Sequence, residues 1–226
     1  MTTPGRRRGA PPAGERLTRD KVLDRATELI ERDGVPAFSL RSLAKELDVR
    51  PAALYNHVDG LDDLLTTITT RFLAGFDLTE ADEPWPDWVC IVASGMHRRM
   101  LARPELTGLM LSRAPMTAAG PALMRRFLDR LVSAGVSRAT AHIAWHTVLT
   151  VVIGSVQQER ARHRKQEDTF QAVLTVAVNG LVTAAAGPPD DQALALLDDH
   201  PDAALDQATE VPRSSEPPSA LDTVAP

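Results

Sequence analysis

Apolar residues recur at helical spacing through most of this chain. The first stripe, Val22, Ala26, Leu29 and Ile30, predicts a helix from about Thr18 to Asp33. Thr18 carries the hydroxyl of an N-cap, and Gly34 can close the helix in the left-handed conformation. Two shorter segments follow. Ser39 can cap the first, which places Leu40, Leu43, Ala44 and Leu47 on one face. Asp48 sits where the chain must turn, and Asp tolerates a positive φ better than most side chains. Pro51 suits the first turn of the second segment, whose apolar side is Leu54 and Val58. Its other side shows Arg50, Ala52, Ala53, Tyr55, Asn56 and His57. The leading helix should pack on both and close a three-helix head.

Asp59-Gly60 marks a turn before a fourth helix, from Leu61 to about Asp77, with Asp62 and Asp63 complementing the dipole in its first turn. Pro84 and Pro86 make the acidic stretch from Asp77 to Pro86 a loop. Further helices are expected over Trp88–Arg103, Glu105–Ser112 and from Gly120-Pro121 to Ala134, with Gly135 as a stop. Ser137 can cap the next one, which from Ala139 to Val156 is apolar almost all round, the mark of a helix buried on most sides. It turns hydrophilic at Gln157–Lys165. A last helix, Asp168–Ala186, ends at Gly187-Pro188, and residues 190–199 have the pattern of one more short helix. The fold class is therefore all-α.

Composition sharpens this. The chain has 226 residues, 43% of them hydrophobic, which is enough for a sizeable core in one or two domains. No apolar run reads as long enough to span a bilayer, no signal core follows the N-terminal arginines, and the lone Cys90 has no internal disulfide partner. A cytoplasmic protein with no membrane partner is expected. The net charge is −5, but nine acids against one base lie beyond Gly187, which leaves +3 on the rest of the chain. Acidity thus does not oppose a local nucleic-acid surface. Residues 1–16 read as a disordered basic arm around Arg6, Arg7 and Arg8, and residues 188–226 as an acidic Pro/Ala-rich disordered tail. Between them, 17–60 form a helix-turn-helix domain and 61–187 a helical domain for ligand binding and dimerisation.

No catalytic constellation is present. His142 and His146 have the spacing of a two-His metal pair, but no Glu follows His142 and no third ligand is evident, so neither metal nor other cofactor is expected. Gly154-Ser155 inside an apolar helix reads as close packing, and Cys90 as inert core.

The pattern Leu43-Ala44-x-x-Leu47-x-Val49 followed by Leu54-Tyr55-x-His57-Val58 resembles the DNA-binding domain of the tetracycline-repressor (TetR) family, and Leu54-Tyr55-Asn56-His57-Val58 is close to the tetracycline-repressor branch. The resemblance covers about Leu17–Phe76 and weakens beyond. It implies that Arg41, Arg50, Ala52, Ala53, Tyr55, Asn56 and His57 face double-stranded operator DNA, with Tyr55 and His57 on the backbone. Many family members carry a phosphate-contacting Lys where this chain has Leu61. The resemblance also implies a small-molecule inducer and a homodimer made by the helices starting near Ser137 and Asp168. Phe72, Met96, His97, Met100, Met110, Arg113, Phe127 and His146 fall in the helices that form the pocket in such proteins. Leu111-Ser112-Arg113-Ala114-Pro115 resembles the family's ligand-sensing turn. The metal-binding His and Glu of the tetracycline-binding branch fall at Met110 and Gln158, and its drug-holding His and Asn near Asp77 and Val92. A drug–magnesium chelate is therefore not the expected inducer; a largely apolar organic molecule is. The alternative reading is a helical dimeric enzyme or structural protein with a vestigial head, which a gel shift would distinguish.

Overall fold

A computed structural model describes residues 17–78, 82–114, 117–162 and 167–187, and every regular element among them is helical. The expected basic arm and acidic tail, with the short helix expected over residues 190–199, lie outside the described residues, as do Pro115 of the expected ligand-sensing turn and residues 163–166. The order is α1 (Arg19–Asp33), a 3-10 turn (Val35–Ala37), α2 (Leu40–Glu46), α3 (Pro51–Leu54), α4 (Leu61–Ala74), α5 (Trp85–Ala102), α6 (Pro104–Arg113), α7 (Ala119–Ser133), α8 (Arg138–Arg162) and α9 (Glu167–Ala186).

Local chemistry accounts for the boundaries. Thr18 Oγ1 accepts from the Lys21 N–H, and Gly34 ends α1 with φ 81°. Ser39 and Ser42 cap α2 reciprocally: each backbone N–H donates to the other's hydroxyl at 3.0 Å. Asp48 takes φ 53°, the turn the sequence requires between α2 and α3. Ser137 Oγ accepts from the Thr140 N–H at 3.1 Å and starts α8. Three expectations need correction. The helix at Pro51 is only four residues long and passes into a turn at Tyr55–His57. α4 ends at Ala74, before Asp77, because Gly75 closes it. α5 begins a turn earlier than expected, with Pro86 at the N-terminal position where its missing N–H costs nothing.

In the head, Val22, Ala26 and Ile30 of α1 meet Leu43, Ala44, Leu54 and Val58, and all are buried. Arg25 and Arg32 of α1 both reach Glu46 at the end of α2, at 2.5 and 3.4 Å. In the body, α8 is central: α5, α7 and α9 pack on it, while α4 and α6 bridge to the head. Trp88, Phe127 and Trp145 form an aromatic row between α5, α7 and α8, with centroids 5.2 and 5.3 Å apart. Burying each such ring contributes roughly 1.5–3 kcal/mol, which fixes the three helices around a common core.

The expectation about membrane-length segments is also corrected. α8 and the Asp168–Ala186 part of α9 are long and apolar enough to cross a bilayer by length and composition. Their inner faces are core: Trp145, Val148, Val152 and Val156 on α8, and Phe170, Leu174, Val178 and Leu181 on α9. Their outer faces carry Ile143, Val151, Val173, Val176 and Val182, none of them fully buried.

Candidate nucleic-acid interface and apolar cavity

The turn at Asp48 and the Pro51 start of α3 push one side of the motif outward. Arg41, Arg50, Ala52, Tyr55 and Asn56 are exposed, and Ala53 and His57 are half-buried. Tyr55, a large ring at 60% exposure, has no packing role that would hold it there. Arg50, Tyr55, Asn56 and His57 form no side-chain hydrogen bond or ion pair among the described residues, so their donors and acceptors face outward unused. Beneath them Leu54 is fully buried against the head core, which sets the aim of the surface. Small Ala52 and Ala53 let the backbone approach a groove, while Arg and Asn can bond base edges and Tyr and His can bond phosphates. Leu61 opens α4 as an exposed apolar residue, with no cation to offer a phosphate.

The body forms a cavity of about 470 Å³ between α4, α5, α6, α7 and α8. Met96 and Met100 of α5, Met110 of α6 and Met124 of α7 line it, with Leu73 and Phe76 below. Every lining side chain is apolar, apart from the indole N–H of Trp145. Methionine walls adapt to irregular shapes, because an unbranched thioether repacks at low cost.

Five of the residues expected to line a pocket do not line this one. His97 is fully buried elsewhere: its Nε2 stands 3.1 Å from Glu159 Oε1, and its ring stacks on Phe170 with centroids 3.8 Å apart. That cluster joins α5, α8 and α9, where Gln171 also donates to Ser94 at 3.2 Å. Phe127 lies behind the wall, between Trp88 and Trp145. Phe72 points away, edge-on to Phe76 and beneath the Arg99 guanidinium. Arg113 reaches out to Asp62 and Thr66 of α4. His146 sits with Ile143, Thr147, Thr150 and Val151 on the outer face of α8. In each case the helix was placed correctly and its rotation was not. The residues missed by sequence reasoning include Trp145, Leu149 and Ile153, a stripe at four-residue spacing that gives α8 a cavity face. The all-round apolarity of α8 was the available signal, since it leaves room for more than one buried face.

Other chemistry is thin. Among the described residues no group of three His, Cys, Asp or Glu is arranged to hold a metal ion. Cys90 is half-buried, and burial, then the neighbouring Asp87, push its thiol pKa up, toward the unreactive protonated form.

No protein-family model matches the chain. An HTH-type transcriptional regulator of Saccharopolyspora erythraea is 33% identical over 162 residues, which is 70% of this chain and 67% of that protein. The class D tetracycline repressor of Escherichia coli is 32% identical over 89 residues, 38% of this chain and 41% of the repressor. Among solved structures, a TetR-family protein of Streptomyces coelicolor in complex with actinorhodin superposes with a TM-score of 0.66 at 22% identity, covering 76% of this chain and all of that one.

Proposed function

The chain belongs to the tetracycline-repressor family of helix-turn-helix transcriptional regulators, and from that premise we propose that it is a homodimeric repressor released from its operator by a small, largely apolar organic ligand. The observation that carries this is the pairing of an outward-facing, unsatisfied recognition surface with an apolar cavity of about 470 Å³, joined by α4 and α6. A ligand in the cavity presses on Leu73 at the lower end of α4 and on Phe76 just beyond it, while the upper end of α4 begins at Leu61 beside the head. Binding that favours one position of α4 shifts the population of head spacings. A two-fold dimer reads two half-sites about one helical turn apart, so a changed spacing mismatches them.

The outer faces of α8 and α9 support the dimer. Val173, Val176 and Val182 of α9 are exposed apolar residues outside the protomer core, and Ile143 and Val151 of α8 are only half-buried. A second copy would cover both helices and form a four-helix bundle, the isologous solution for such a surface. Covering these faces by a second copy also accounts for their apolarity without a bilayer.

The test is a gel shift with the DNA flanking the protein's own gene, followed by a thermal-shift screen for ligands. A ligand that raises the melting temperature and abolishes the shifted band supports the reading, since binding to the folded state stabilises it by mass action. A protein that retards no DNA from that region or from a random-site selection would sink it.

A further inference from the structure

The helical head is short of positive charge for a surface that meets DNA. Residues 17–60 carry seven Lys and Arg against eight Asp and Glu, a net charge of −1. Several of those cations are already engaged. Arg25 is held by Glu28 and Glu46, and Arg32 by Asp33 and Glu46. Arg19 Nη2 stands 3.8 Å from Asp63 Oδ2. Arg41, Lys45 and Arg50 form no ion pair among the described residues. The start of α4, which follows the recognition turn, adds no cation: Leu61 is exposed and apolar, and Asp62 and Asp63 come next. Duplex DNA carries one negative charge per about 1.7 Å of its axis, and the counterions that Lys and Arg release from it supply a large share of the affinity. Three cations on a head of net charge −1 leave that share small.

The chain carries the missing charge next to this surface. Residues 1–16 hold Arg6, Arg7, Arg8 and Arg16 against Glu15 alone, a net charge of +3, which brings the head from −1 to +2. The described residues fix where that segment joins. Leu17 is half-buried against the core, and Thr18 caps α1. Arg19 Nη2 lies 3.4 Å from Thr67 Oγ1 of α4. Asp63, the other α4 residue beside Arg19, accepts from the Asp59 N–H at 3.1 Å through its Oδ2. Asp59 follows His57 by two residues. The segment therefore joins beside the turn that carries Tyr55, Asn56 and His57. Nine residues separate Arg8 from Leu17, a reach of at most about 30 Å, close to one turn of DNA. We infer that Arg6, Arg7 and Arg8 bind the phosphate backbone of the operator beside the half-site, and supply the electrostatic part of the affinity that the helical head lacks. This rests on the reading of the head as an operator-binding surface. Backbone contacts carry no sequence information, so the arm adds affinity and leaves the choice of sequence to the recognition turn.

The experiment follows operator binding of the full chain by fluorescence anisotropy across a range of salt concentrations. One variant combines Arg6→Gln, Arg7→Gln and Arg8→Gln; a second combines Arg6→Lys, Arg7→Lys and Arg8→Lys. Each phosphate neutralised contributes about 0.9 to the slope of log K against log salt, so the Gln variant should have a slope shallower by about 2–3 for each arm engaged. Its affinity should fall more than about tenfold at roughly 0.1 M salt and approach that of the parent at about 1 M. The consensus selected from randomised DNA should not change. The Lys variant should recover both slope and affinity, since a phosphate needs only a point charge. His57→Ala is measured in parallel. If it weakens binding, the head is on the operator, and a Gln variant with the slope and affinity of the parent then overturns the role of the arm while the operator reading stands. A Lys variant as weak as the Gln variant also overturns the inference, because the arginines are then doing something that a point charge cannot copy, such as reading a groove. So does a Gln variant that melts at a lower temperature without DNA, because the arginines then serve the fold. A parent chain that binds no DNA at any salt concentration overturns both readings.

Discussion

Arg113 Nη2 stands 2.6 Å from Asp62 Oδ1, and Arg113 Nη1 donates to Thr66 Oγ1 at 3.1 Å. One side chain at the end of α6 thus holds the first two turns of α4, directly after the head. Asp62 is 81% exposed, so the pair itself adds little stability, about 0–1 kcal/mol. Its value is positional. Met110 and Leu111 line the cavity three and two residues before Arg113, and a shift of α6 is passed to α4 through this clasp.

Arg113→Ala should therefore leave the melting temperature and ligand affinity nearly unchanged while reducing the fall in operator affinity on adding ligand. Fluorescence anisotropy of labelled operator, with and without ligand, reads this directly. A variant that responds to ligand as fully as the parent would show that the head is coupled through another contact.

In the head, the roles divide by chemistry. His57→Ala and Tyr55→Phe should weaken binding to all sequences alike, because backbone contacts carry no sequence information. Asn56→Ala should relax preference at one base position per half-site, at a cost of about 1–3 kcal/mol. Selection from randomised DNA separates the two: a changed consensus for His57→Ala, or an unchanged one for Asn56→Ala, would reverse the assignment.

The local elements of this fold were legible because their signals are local. Thr18, Ser39 and Ser137 each accept the backbone hydrogen bond that a cap reading requires, and Gly34 and Asp48 take the positive φ their positions demand. Rotation about a helix axis was not legible, because it depends on partners far away in the chain. His97 was read as a ligand group since nothing near it in sequence shows that Glu159 and Phe170 wait sixty and more residues on. α8 was the hardest case. An apolar residue there can face the cavity, the protomer core or a second copy, and only packing tells Ile153 from Val152 and Val151.

That distinction changes the test of the dimer. Val152 is fully buried inside the protomer, so Val152→Arg would put an unpaired charge in the core and unfold the chain rather than report on an interface. Val176 is 73% exposed on the outer face of α9. Val176→Arg should keep the helical circular dichroism and convert the dimer to monomer in sedimentation or light scattering. A dimeric Val176→Arg protein would move the interface off this part of α9.

Cys90 offers a check on the packing of α5. Burial and the nearby Asp87 carboxylate raise the pKa of its thiol, so the thiolate, the reactive form, is scarcer than in a free cysteine. Alkylation by iodoacetamide near pH 8 should be several-fold slower than for a cysteine-containing peptide, and should reach the peptide rate only on unfolding. Alkylation at the peptide rate in the folded protein would mean that this stretch of α5 opens readily.

The last prediction concerns what the cavity wall tolerates. Met110 is buried and touches the cavity from α6, where a carboxylate or imidazole would be needed to share a hard cation. Magnesium demands oxygen ligands in near-octahedral geometry, which a thioether and an apolar wall do not provide. Ligand binding measured by calorimetry should therefore be the same with and without chelator. Met110→Gln keeps the length of the side chain and places an amide against the apolar wall. An amide facing an apolar ligand without a partner costs about 1–3 kcal/mol, so affinity should fall about tenfold or more while operator binding in the absence of ligand is retained. Met110→Leu, apolar and of similar volume, should restore binding to within a few-fold. An affinity that collapses in chelator, or a Met110→Gln protein that binds as tightly as the parent, would show that the ligand is held by polar or metal-linked groups and not by this wall.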